Sequence, residues 1–387
     1  MVLTLSAIGQ LASSAPADQG ESKQPAARTS PAAQSSSWWP GPLAQRFDAD
    51  TEVTWTSDIL LTETALAYQA DFAKVRWDVS FAHNLYYENY RPFHIADPFG
   101  FAEILRENRY AGQLTARPRL TDRLTLILSG GAYDGFQDYR RVWLNNYYRQ
   151  QFANPRFPPI PGYEPADPKG WNAGAGLRWE YLARRGFLEA RGGYNVDDVA
   201  PGFVHDPATG FAVGGQARLY TTWGSLSSEN ILSPRVRALN ELRISDTTTR
   251  QARVSWQSSL NAALGERWVL RPYGGYTREA PKFEAWWIGQ AVEFEATPVC
   301  ALILSGHYYH DTGEILDPLV LSSAAPALGS WQASLGLRIN WGRATVRISV
   351  GPYFTDYQKV AQSSLAFANL YRDRQWGLAQ IAIGVPF

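Results

Sequence analysis

Trp376-Gly-Leu-Ala-Gln-Ile-Ala-Ile-Gly-Val-Pro-Phe387 ends the chain on an aromatic residue. Counting back in twos from Phe387 meets Val385, Ile383, Ile381 and Ala379, all apolar. The other parity carries Gly384, Ala382 and Gln380, small or polar. A period of two with one apolar face is the pattern of a β-strand. An edge strand of a soluble domain and a strand with one face in lipid share it, so the rest of the chain must discriminate between them.

The chain has 387 residues, among them 15 Trp, 20 Tyr and 17 Phe. No stretch approaches the roughly 18–20 consecutive apolar residues of a membrane helix. Trp and Tyr suit membrane–water interfaces, where one end of the ring is apolar and the other wet. Alternating lipid-facing and lumen-facing residues average out in hydropathy, so strands that span a membrane leave no apolar run. Strand-like runs separated by turn signals occur at about 47–57, 62–73, 75–89, 105–119, 123–138, 171–183, 186–197 and 209–223. They continue at 233–246, 249–264, 267–279, 283–298, 300–312, 328–341, 343–357 and 375–387. Tight turns such as Gly265-Glu-Arg267 and Trp341-Gly-Arg343 alternate with longer connections at 90–104, 139–170, 198–208, 313–327 and 358–374. The 249 side breaks the alternation with a short connection, and 224–232 reads as an unusually long turn.

Three strands carry aromatics ten residues apart on the apolar parity: Trp77 and Tyr87, Trp171 and Tyr181, Trp331 and Trp341. Ten residues at about 3.3 Å, tilted near 40°, project to roughly 25 Å, the height of a barrel's apolar band. Together with the terminal Phe387 strand, these brackets resemble Gram-negative outer-membrane β-barrels. The resemblance implies an all-β, transmembrane, antiparallel up-and-down barrel of about 16 strands, with fourteen to eighteen compatible. It places residues 46–387 in the bacterial outer membrane, in contact with its lipid. It also makes Phe387 the signal read by the barrel-insertion machinery and leaves room for a homo-oligomer. Residues 1–17 resemble the back half of a signal peptide without its charged start. Residues 18–45, rich in Ser, Ala, Gln and Pro, read as disordered linker, with Trp38 and Trp39 as an anchor.

The formal net charge is zero, and nothing in the chain points to nucleic acid. Lys is confined to Lys23, Lys74, Lys169, Lys282 and Lys359, so nearly all basic residues are Arg, whose planar fork pairs with carboxylates in confined spaces. On the parity opposite the apolar one stand Arg76, Arg109, Arg117, Arg178, Arg191, Arg218, Arg235, Arg237 and Arg243. Arg253, Arg271, Arg338, Arg347, Glu293 and Glu295 continue the set. A barrel this wide, about 30 Å across its backbone, cannot be filled by side chains alone, so its middle holds something polar. The charged wall is then either a stiffening salt-bridge lattice or a conduit favouring anionic solutes. The long segment 139–170 lies where general diffusion porins have a loop folded into the lumen, and by that positional resemblance Glu164 and Asp167 would be constriction acids.

The five histidines, the single Cys300 and the absence of a glycine-rich phosphate loop suggest no enzyme, metal site or cofactor. His310-Asp311 reads as a rim hydrogen bond rather than a catalytic pair. The chain therefore reads as a channel passing small polar or anionic solutes. The alternatives are a secretion barrel for an acidic exopolysaccharide, which resembles Arg-lined exporters, and a non-conducting sheath around a periplasmic partner.

Overall fold

The computed structural model describes residues 44–89, 104–136, 168–199, 203–205, 212–214, 217–248, 252–280, 283–313, 327–357 and 373–386. The strands are β1 (Ala44–Trp55), β2 (Ile59–Asp71), β3 (Val75–Asn89), β4 (Ile104–Pro118), β5 (Leu124–Gly135), β6 (Lys169–Leu182), β7 (Gly186–Val199), β8 (Phe203–His205) and β9 (Ala212–Gly214). They continue as β10 (Ala217–Ser233), β11 (Val236–Thr247), β12 (Arg253–Leu264), β13 (Trp268–Glu279), β14 (Phe283–Thr297), β15 (Cys300–Asp311), β16 (Leu328–Trp341), β17 (Ala344–Tyr357) and β18 (Arg374–Pro386).

All of them except β8 and β9 form one closed antiparallel barrel, each pairing with its sequence neighbour, and β1 closes on β18. The sixteen-strand expectation therefore holds. Closure leaves no unpaired edge, a condition that backbone groups in hydrocarbon require. β8 and β9 make a separate small hairpin within the connection between β7 and β10.

Both ends of the described barrel, and the turns between β2 and β3, β4 and β5, β6 and β7, β10 and β11, β12 and β13, β14 and β15, and β16 and β17, lie at one end. All of these turns are tight. Gly265 (φ 72°) and Gly342 (φ 61°) adopt the left-handed conformation that such turns need, and Arg184 does so at φ 59°. The other end carries the long connections.

One expectation is corrected. Residues 224–232 are not a turn: β10 runs through them as a strand of 17 residues and meets β11 at a tight turn of Pro234 and Arg235. From Gly224 to Asn230 its outward face has one large apolar residue, Leu226, among Gly224, Ser228 and Asn230, so the alternation is weak although the ladder to β11 is continuous as far as Ile231. The segment 1–43, with its expected signal, linker, Trp38 and Trp39, lies outside the described residues. So do Glu164, Asp167 and Phe387.

The register fixes which parity faces out. Thr51 opposes Ile383, Val53 opposes Ile381, and the same face continues through Leu66, Phe81, Leu114, Leu128, Leu177 and Leu226 around the wall. Side chains on this face are far too exposed for water: Leu304 and Ile288 are each 60% exposed, Leu335 59% and Trp341 80%. A closed barrel clothed in such residues takes lipid as its solvent.

Candidate functional site: the inner wall

The parity opposite the apolar face lines the lumen. Near the short-turn end it carries two groups of ion pairs. In the first, Asp78 on β3 receives Arg76 at 2.9 Å and Arg117, from β4, at 2.7 Å. Arg117 also reaches Glu189 on β7 at 3.8 Å, and Glu189 pairs with Arg191 at 2.5 Å. Ile127, on the intervening β5, is fully buried. Arg237 on β11 pairs with Glu229 on β10 at 2.5 Å. In the second group Glu293 on β14 is held by Arg271 at 2.9 Å and by Arg338 at 2.7 Å. One carboxylate bridging two guanidinium groups on different strands ties those strands together more firmly than an exposed pair would.

Cation–π contacts occur at both ends of the wall: Arg178 lies over Phe187 at 3.6 Å beside the β6–β7 turn, and others stand toward the long-connection end. Arginines there lie over aromatic faces: Arg109 over Tyr133 at 4.9 Å, Arg243 over Trp223 at 5.3 Å and Arg253 over Phe283 at 5.1 Å. Each such contact contributes about 0.5–2 kcal/mol. Arg253 also pairs with the buried Glu279 at 2.7 Å. Among the described residues no carboxylate lies within ion-pair distance of Arg243 or Arg347.

Most of the arginines read from the sequence face the lumen, as do Glu293 and Glu295. Two do not. Arg218 opposes Asp198 on the outward parity of β10, at the long-connection end, and pairs with it at 2.6 Å. Residues this close to a strand end lie beyond the apolar band, so the apolar-out rule no longer sorts them. Arg235 sits in the β10–β11 turn, which is a consequence of the longer β10. Trp77, Tyr87, Trp171, Tyr181, Trp331 and Trp341 all occupy the outward parity.

The sequence reading passed over two features of the inner wall. One is its carboxylates on β1 and β2, where Asp48, Asp50, Glu52, Glu63 and Asp71 share the inward parity and offset the arginines. The other is a set of inward aromatics from mid-height to the long-connection end, including Trp223, Tyr273, Trp287, Tyr353 and Trp376. For Trp223, Tyr273 and Trp287 the signal was present in the glycines that face them across the ladder, at Gly193, Gly289 and Gly275.

His310 and Asp311 point to opposite faces; Asp311 accepts backbone N–H groups of Gly313 and Leu328 at 2.8 and 3.2 Å and so joins the end of β15 to the start of β16. Among the described residues no group of three or more His, Cys, Asp or Glu is placed to hold a metal ion.

No family model and no curated protein matches the chain. Solved structures do. CdiB from Acinetobacter baumannii superposes with a TM-score of 0.53 at 9% identity, over 89% of this chain and 60% of that one, so the chain spans less than two thirds of its length. A bacterial polysaccharide outer membrane secretin gives a TM-score of 0.47 at 7% identity, over 89% of this chain and 98% of that one. The Pseudomonas putida toluene transporter TodX gives 0.41 at 10% identity, over 89% and 90%. The fold is that of bacterial outer-membrane β-barrels.

Proposed function

We propose that the protein is an outer-membrane channel that passes small polar solutes by diffusion. The observation that carries this reading is the division of the wall. The outward parity is apolar around a closed sixteen-strand circuit, and the inward parity carries arginines and carboxylates on most strands, interleaved with buried apolar and aromatic side chains. The tight-turn end is then periplasmic and the long-connection end external, and the outward aromatics mark the two edges of the hydrocarbon.

Most of the lumen arginines are structural on this reading, because they are spent on wall carboxylates. Charge discrimination falls to those without such a partner, Arg243 foremost, against the acids of β1 and β2. The channel is accordingly only weakly selective, and anions pass most readily along the β10–β17 side.

Purified protein in planar bilayers is expected to give ohmic, stepwise openings. An absence of conductance under all voltages and salts overturns the proposal. Within an active channel, Arg243→Gln lowers anion over cation permeability. Arg253→Gln instead destabilises the barrel by about 1–3 kcal/mol in urea unfolding, because it strands the buried Glu279 without its counter-charge. Equal effects of the two substitutions on selectivity would show that the paired arginines are not structural.

A further inference from the structure

The inward face of β13–β18 carries one unbroken cross-strand row. Tyr273 lies opposite Gly289, Gly289 opposite His307, and His307 opposite Gln332. Gln332 lies opposite Tyr353, and Tyr353 opposite Trp376. The row runs perpendicular to the strands. It therefore climbs from mid-height on β13 to the long-connection end of β18, and five strand spacings make it about 24 Å long. Trp287 and Ser330 stand in the adjoining row.

The rings lie flat against the wall rather than projecting across the lumen. A Cβ at Gly289 would stand 2.3 Å from Tyr273 Cζ, and one at Gly275 would stand 2.3 Å from Trp287 Cζ2. Each ring thus folds over the neighbouring strand's glycine. His307 stacks on Tyr273 with centroids 5.8 Å apart, and Tyr353 stacks on Trp376 at 5.7 Å.

Beside these rings are four polar atoms out of solvent contact and without a hydrogen-bond partner: Trp287 Nε1, His307 Nε2, Ser330 Oγ and Gln332 Oε1. They stand on three consecutive strands. His307, Ser330 and Gln332 are 9%, 1% and 7% exposed. A buried polar group left unpaired costs about 1–3 kcal/mol, so four together on one patch point to a missing partner. The Tyr273 hydroxyl is 3.2 Å from His307 Nδ1; when it donates there, Nε2 carries the proton and is a second N–H donor beside Trp287. Ser330 gives and accepts, and Gln332 Oε1 accepts. The four mix donors with acceptors, and none is a carboxylate, ammonium or guanidinium; the charged neighbour is Arg374, which ends the Ser330–Thr355 row and lies over the Trp376 ring at 5.9 Å.

An uncharged ligand that matches donors and acceptors at close spacing, and offers flat C–H faces to ring planes, is a polyhydroxylated one. We propose that the Tyr273–Trp376 row is a binding track for neutral sugars moving through the lumen. This rests on the channel reading. The four atoms are covered in this structure, so a solute meets them only where the lumen side of the row is uncovered.

The test adds maltotriose to single channels in planar bilayers and titrates the same sugar against intrinsic tryptophan fluorescence of the detergent-solubilised barrel. Saturable current interruptions and a saturable fluorescence change are expected. Gln332→Leu, and separately His307→Phe, weaken both at least tenfold, while Leu304→Val on the outward face alters neither. Circular dichroism verifies that each variant is a folded barrel, and Ser330→Ala serves as the mildest substitution should either of the others fail to fold. Conductance that falls only as solution viscosity predicts, with no fluorescence change, overturns the sugar track and leaves the channel standing; it would mean that water alone fills the four positions. Fluorescence binding without any conductance overturns the channel reading while the track survives.

Discussion

A single methyl group distinguishes glycine from alanine, and at Gly289 that methyl would stand 2.3 Å from Tyr273 Cζ. The Tyr273 ring cannot stay against the wall if it is present. Gly306 provides the contrast: it lies on the outward parity of the neighbouring strand, where the nearest atom to an added Cβ is Gln332 O at 3.9 Å. Gly289→Ala should therefore destabilise the barrel by about 1–3 kcal/mol, the usual cost of overpacking. Gly306→Ala should be near neutral, and urea unfolding in lipid vesicles, followed by tryptophan fluorescence, separates the two. Equal stabilities would mean that the ring has other places to lie. Residues of this kind were half legible in the sequence. The arginines stood out because charge on a β parity opposite Leu and Ile has one destination. Tyr273, Trp287 and Trp376 did not, because an aromatic on a barrel strand is expected to face lipid. Only register, which pairs each ring with a partner on another strand, reveals which of them turn inward.

At the scale of elements, strands with a sharp apolar face were readable to within a few residues. β16, with Trp331, Leu335, Leu337 and Ile339 outward, begins and ends where its alternation does. β10 was not, because serines fall on both faces of its lower half, Ser225 and Ser227 inward and Ser228 outward, and Gly224 and Asn230 resemble turn residues. What holds it as a strand is its two neighbours. Glu229 opposes Phe187 on one side and Leu239 on the other, and its carboxylate takes Arg237. Side-chain period is two, so one extra residue reverses every face beyond it. An alanine inserted between Ser227 and Ser228 would turn Glu229 toward lipid and separate it from Arg237. We expect the folded fraction recovered in vesicles to drop by more than half, read by circular dichroism and protease resistance. The same insertion between Pro234 and Arg235 lengthens a tight turn by one residue and should fold nearly as well as the parent. Equal loss from both insertions would show that turn length, rather than register, limits folding.

For the whole molecule, closure of β1 on β18 decides everything else. It removes the last pair of edges, fixes the parity of all sixteen strands and brings together residues from opposite ends of the chain. Gln380 Nε2 donates to Glu52 Oε1 at 3.2 Å across this seam, and Trp376 Nε1 donates to Asp58 Oδ2 at 3.3 Å. The seam is also where the reading of the last strand is most exposed to refutation, since Ile381 and Ile383 face lipid only in this register. Thr51 lies directly opposite Ile383 on the outward face. Opposed residues have Cβ atoms roughly 4.5–5.5 Å apart, close to what a disulfide spans with slight adjustment. In a Cys300→Ser background, which removes the native thiol, Thr51→Cys with Ile383→Cys should crosslink in most folded chains on mild oxidation, giving a circularised species of altered mobility on non-reducing gels. Thr51→Cys with Ala382→Cys should not, because Ala382 opposes Glu52 and points into the lumen. Crosslinking of the second pair in preference to the first would shift the seam by one residue. It would turn the inner wall of β18 out to the lipid, and with it the Trp376 end of the row on which the sugar track depends.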